Sequence, residues 1–75
     1  MVTVKLLAVL KEYAPDGVME IEYVPGMTIS DALGRTDIAQ TNVKYSVMVD
    51  NRRRKTEDTL EDGDKIVVMP LLAGG

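Results

Sequence analysis

The 75-residue chain reads as a single α+β domain, in the order hairpin, short helix, then two or three further strands. Three observations carry this reading. Apolar residues alternate with a period of two over residues 2–10, 18–24 and 43–49. Between them, Thr28-Ile29-Ser30-Asp31 has the hydroxyl and acid spacing of a capping box, with Ile29, Ala32 and Leu33 as one apolar stripe. Pro- and Gly-containing turns separate the segments.

The first strand is expected over residues 2–10, with Val2, Val4, Leu6, Ala8 and Leu10 on one face and Thr3, Lys5, Leu7 and Val9 on the other. Pro15-Asp16-Gly17 supplies a turn: the Pro presets φ and the Gly accepts a positive one. Residues 18–24 alternate cleanly, Met19, Ile21 and Tyr23 inward and Glu20 and Glu22 outward, so the two segments form a hairpin. Pro25-Gly26 ends it. The helix that follows is expected to be short, because Gly34 costs about 1 kcal/mol relative to Ala in a helix interior. Residues 34–42 are polar and read as irregular, with Ile38 as their anchor. A third strand over 43–49 places Tyr45, Val47 and Val49 together, with Ser46 and Met48 opposite. Asp50-Asn51 turns into a short exposed strand over 52–55, and Leu60-Glu61-Asp62-Gly63-Asp64 turns into the last one. Ile66-Val67-Val68-Met69 is apolar on both faces, as a central strand must be. Pro70 lacks an N–H and is expected to stop the ladder. The inward set is Val4, Leu6, Met19, Ile21, Ile29, Leu33, Val47, Val49, Ile66 and Val68, one modest core in a domain over 1–70 with a tail over 71–75.

Composition removes whole classes of chemistry. The chain has no Cys and no His, so disulfides, the usual soft metal ligands, thiol nucleophiles and Ser–His triads are all excluded. Ser30 and Ser46 have no base to activate them, and Asp62 and Asp64 read as turn residues rather than metal ligands. Nine Lys and Arg against twelve Asp and Glu give a net charge of −3, unsuited to binding nucleic acid through phosphate neutralisation. The basic run Arg52-Arg53-Arg54-Lys55 is followed closely by Glu57, Asp58, Glu61, Asp62 and Asp64 and reads as a solvated, locally paired hairpin. The longest apolar run, Leu6 to Leu10, is far too short for a membrane span, and no signal-peptide pattern opens the chain. A small, soluble cytoplasmic domain is expected, binding no cofactor and contributing no catalytic side chains.

The sequence ends in Gly74-Gly75. At about 3.3 Å per residue, Leu71 to Gly75 reach roughly 16 Å. Two glycines let such a tail approach a reacting centre without Cβ obstruction. The reacting group is then the α-carboxylate of Gly75, ionised at neutral pH with a reference pKa near 3.5. A carboxylate is a poor electrophile and needs activation, most simply as an acyl-adenylate formed from ATP. The chain has neither Gly-x-Gly-x-x-Gly nor Gly-Lys-Ser/Thr to cradle phosphates, so a partner enzyme must supply that step.

Leu6-Leu7-Ala8-Val9-Leu10-Lys11-Glu12, the turn Leu60-Glu61-Asp62-Gly63-Asp64-Lys65-Ile66 and the ending Met69-Pro70-Leu71-Leu72-Ala73-Gly74-Gly75 together resemble the MoaD/ThiS sulfur carriers over essentially the whole chain. The opening strand is more similar to the molybdopterin synthase small subunit than to the thiamine carrier. The resemblance implies a ubiquitin-like β-grasp fold, with a mixed sheet of four to five strands and one helix on one face. It implies that a ubiquitin-activating-type enzyme adenylates Gly75 and that a sulfur donor converts it to a thiocarboxylate, with Gly74 as the tail glycine before it. The sulfur is then delivered in molybdopterin biosynthesis, with the molybdopterin synthase large subunit as a further partner. Delivery to thiamine or to tRNA thiolation, a protein-modifier role and a passive binding module are the alternatives. The family's usual aromatic and Pro-Pro before the tail are replaced here by Val68-Met69-Pro70-Leu71.

Strand parity adds a docking surface. If the helix covers the Leu6, Val47 and Val68 face, the opposite one presents Leu7, Val9, Met48, Val67 and Met69, an apolar patch of the kind that marks an interface. Two methionines suit a surface that meets more than one partner. The resemblance places Leu60 and Met69 at its rim and extends the partner-binding set through Pro70, Leu71, Leu72 and Ala73.

Overall fold

The computed structural model describes residues 1–71. Five strands form one mixed sheet in the order β2-β1-β5-β3-β4, where β1 is Val2–Leu6, β2 Val18–Ile21, β3 Tyr45–Val49, β4 Arg52–Arg54 and β5 Lys65–Pro70. β1 and β5 run parallel, and the other pairs are antiparallel. β5 lies between β1 and β3 with neighbours on both sides, as its two apolar faces require.

One helix, α1 (Ile29–Leu33), covers one face. Val2, Val4 and Leu6 of β1, Ile66 and Val68 of β5, and Val47 and Val49 of β3 bury their side chains in one cluster with Ile29, Ala32 and Leu33 of α1. Each buried Val, Leu or Ile side chain contributes about 1.5–3 kcal/mol. All ten expected core residues belong to this cluster or pack against it, Met19 being only partly buried.

A five-residue helix is too short to persist on its own, so its ends must be satisfied from outside. The Asp31 N–H donates to Thr28 Oγ1 at 3.1 Å, and the Thr28 N–H donates to Asp31 Oδ2 at 2.9 Å, completing the capping box. The loop after β4 meets the next two donors: the Ile29 N–H bonds the Asp58 carbonyl at 3.0 Å and the Ser30 N–H the Thr56 carbonyl at 2.8 Å. Asp58 in turn folds that loop, its Oδ2 accepting from the Lys55 N–H and from Arg54 Nε, each at 3.1 Å. Beyond the helix, the stretch expected to be irregular holds a 3-10 turn at Asp37–Gln40, with Thr36 Oγ1 accepting from the Ile38 N–H at 3.2 Å. Ile38 is fully buried, the anchor it was expected to be.

Several strand boundaries differ from the expectation, β4 for example ending at Arg54 rather than residue 55. β1 ends at Leu6 rather than residue 10, although β5 runs on beyond it to Pro70, because the chain leaves the sheet after Leu7. The chain then turns at Ala8, whose φ is 53°, into a 3-10 segment Ala8–Tyr13. Leu10 is buried, as expected, but by that turn and not by strand alternation; Ala8 is exposed. β2 stops at Ile21 rather than residue 24, since its partner Val2 is the first residue of β1. β3 starts at Tyr45 rather than residue 43, opposite the last residue of β5.

Pro70 does not stop the ladder. It pairs with Tyr45 inside β5, and the Leu71 N–H donates to the Lys44 carbonyl at 2.8 Å. Amide directions alternate along a strand, so residue 70 would direct its N–H away from β3, towards β1, which has already left the sheet. The missing donor therefore costs no bond.

Candidate functional site

The face of the sheet away from α1 follows from the register. Val18 of β2, Lys5 of β1, Val67 of β5, Met48 of β3 and Arg53 of β4 lie side by side across all five strands. The Leu7 N–H donates to the Val68 carbonyl at 3.0 Å, which extends the parallel register and sets Leu7 beside Met69, itself opposite Ser46. Leu7, Met48, Val67 and Met69 are thus brought together, each partly exposed, as strand parity predicts.

Two expected members are placed elsewhere. Val9 is exposed, at 62%, but it rides on the 3-10 turn and not on the sheet. Leu60, expected at the rim, is 3% exposed within the core, its N–H bonded to the Met27 carbonyl at 2.9 Å. The isolated bridge between Thr28 and Thr59 draws this loop beneath the sheet, so Leu60 is a structural residue. Two members were missed. Val18, 42% exposed, follows from placing Met19 inward, and Arg53 follows from Met48 once the hairpin register is known.

The last described residues pass this face. Because β5 is parallel to β1, it ends at the same edge as Leu7. Pro70 is partly buried, and Leu71, 46% exposed, leaves that edge. Leu72, Ala73, Gly74 and Gly75, the rest of the expected site, lie outside the described residues.

Strand alternation splits the basic run. Arg54 turns to Asp58, Arg53 joins the open face beside Met48, and Arg52 pairs with Val49 on the other side. Hydrogen bonds from the Lys55 N–H and then from Arg54 hold the Asp58 carboxyl below its ordinary range. The Asp31 carboxyl is lowered likewise, first by the Thr28 N–H and then by the Thr28 hydroxyl. Asp64 is used by its own turn, accepting from the Glu61 N–H at 2.8 Å. Among the described residues no group of three or more Asp or Glu side chains is placed to hold a metal ion. No helix among them is long and apolar enough to cross a membrane. What the arrangement offers is an apolar patch on an open sheet face, with Leu71 leaving at its edge.

The crystal structure of SAMP1 from Haloferax volcanii superposes with a TM-score of 0.79 at 20% sequence identity, covering 99% of this chain and 98% of that one. The fold is a ubiquitin-like β-grasp. No protein-family model and no curated protein sequence matches the chain.

Proposed function

We propose that this protein is a ubiquitin-like sulfur carrier. A partner of the ubiquitin-activating type docks on the face formed by Leu7, Met48, Val67 and Met69 and receives the tail from Leu71 to Gly75. A carboxylate oxygen of Gly75 attacks the α-phosphate of ATP and pyrophosphate leaves. A hydrosulfide-equivalent nucleophile from the sulfur donor then forms a C–S bond at the acyl carbon, the C–O bond to AMP breaks, and a thiocarboxylate remains. Molybdopterin biosynthesis is the proposed destination of that sulfur, with the synthase large subunit as the receiving partner. The protein is in this reading a co-substrate and not an enzyme; ATP is bound by the partner. The observation that carries the reading is that the central strand of a ubiquitin-like β-grasp leads out beside an apolar face into a sequence ending in Gly74-Gly75.

The ubiquitin-like fold itself favours a second reading, in which a lysine amine of another protein takes the same acyl-adenylate and the product is an isopeptide. Both readings are tested by incubating the full chain with ATP, a sulfur donor and the host's activating enzyme, then determining the mass of the C-terminal peptide. Replacement of one oxygen by sulfur is the expected result, and deletion of Gly75 is expected to abolish it. An isopeptide product would establish the modifier instead. Full sulfur transfer by the Gly75-deleted protein would overturn both.

A further inference from the structure

The charges on the open face do not follow the charge of the molecule. The whole chain carries nine cations and twelve carboxylates. The strand positions of the open face hold three of the cations, Lys5, Arg53 and Lys65, and one carboxylate, Glu20. Lys5 lies between Val18 and Val67, Arg53 beside Met48, and Lys65 beside Thr3. All three cations are exposed, and the ion pairs formed among the described residues involve none of them. The acidic excess is carried elsewhere, with Glu57, Asp58, Glu61, Asp62 and Asp64 in the segment between β4 and β5.

We infer that this face selects its partner by charge, binding a protein surface whose apolar centre is ringed by carboxylates, an inference that rests on the reading that the face docks the adenylating enzyme. An apolar centre with a charged rim is the anatomy of a protein interface. Exposed rim charges act mainly on the rate and specificity of encounter, attracting complementary surfaces and repelling like ones. Net charge alone would set this acidic protein against an acidic partner; the segregation of Lys5, Arg53 and Lys65 reverses the sign where contact is made. A nucleic acid fits less well, because base stacking needs aromatic rings and Tyr13, Tyr23 and Tyr45 all pack against the core.

The test uses the full chain and the purified ubiquitin-activating-type enzyme of the same organism, with ATP–pyrophosphate exchange and association rate as readouts. The triple variant Lys5→Glu, Arg53→Glu, Lys65→Glu is expected to associate at least about tenfold more slowly at low salt. The variant Lys5→Arg, Arg53→Lys, Lys65→Arg is expected to behave as the wild type. Wild-type association should fall steeply between about 50 mM and about 500 mM salt, whereas the charge-reversed protein, now repelled, should associate faster as salt rises. If the charge-reversed triple binds as fast as wild type while Met48→Asp abolishes exchange, the docking face stands and selection by charge is overturned. If Met48→Asp also leaves exchange unchanged, the docking reading falls and the inference with it. Retention of a single-stranded oligonucleotide through the three cations, with enzyme binding unaffected, would overturn the protein partner.

Discussion

Ala8 and Gly17 sit at the two ends of the segment that links β1 to β2, and both have positive φ, 53° and 72°. For Ala8 this conformation crowds the Cβ against the following carbonyl at a cost of about 1–2 kcal/mol, part of which a glycine would return as chain entropy. Ala8→Gly is therefore expected to raise stability by roughly 0.5–1 kcal/mol. Gly17 is the reverse case. A Cβ there would lie 2.9 Å from the Leu6 carbonyl oxygen, in a backbone conformation that already disfavours a side chain. Gly17→Ala is expected to cost about 2 kcal/mol or more. Urea denaturation of the two variants should give midpoints on opposite sides of the wild type. Single residues also decide the fate of the basic run: Arg53 and Arg54 are adjacent in sequence, yet one lies on the open face beside Met48 and the other builds the loop that caps α1.

At the scale of elements, α1 depends on groups beyond its own five residues. Thr28→Ala removes the side-chain half of the capping box and should cost about 1 kcal/mol at neutral pH, measured by thermal or urea unfolding. The acid response follows from Asp31 and Asp58, both held below the ordinary value of 3.8 in the folded protein. A carboxyl whose folded pKa is depressed contributes fully above its unfolded pKa and loses that contribution as pH falls through the folded value. Stability is thus expected to decline below about pH 3.8. The wild type should decline more steeply than the Asp31→Asn, Asp58→Asn double variant, so the gap between the two narrows in acid. A constant gap from neutral pH down to acid unfolding would show that the two carboxylates do not act through their charge.

For the molecule as a whole, β5 joins the two halves, pairing in parallel with β1 and antiparallel with β3. A domain of this length has a total stability of about 4–11 kcal/mol. Ile66, fully buried in β5, should cost about 3 kcal/mol as Ile66→Ala, a large part of that total. Val67 is the next residue on the opposite face, and Val67→Ala should cost less than about 1 kcal/mol in the isolated protein, because that face is only partly covered. In the presence of the docking partner the same Val67 change should weaken binding, so thermal unfolding with and without that enzyme separates a core role from a docking role. Partner binding also stabilises the folded state by mass action, which a core this small can use.

Which side of the sheet each residue faces was legible from local pattern, because a pleat alternates whatever it pairs with. That suffices for the strand residues of the core, for the central place of β5 and for the grouping of Leu7, Met48, Val67 and Met69; the capping box is legible too, its partners being three residues apart. Strand ends were not legible: residues 8–10 keep the alternation of β1 but leave the sheet where the backbone turns at Ala8. Nor was the place of Leu60, which lies outside any repeating pattern and is buried only because the loop from β4 to β5 folds against Met27 and Thr28. Register also had to come from tertiary structure, and with it the rows that set Lys5, Arg53 and Lys65 on the apolar face of an acidic protein. The sequence by itself determined which face each strand residue takes, through short-range alternation; only the tertiary structure decided where strands end and which residues stand side by side on a face, because pairing joins residues far apart in the chain.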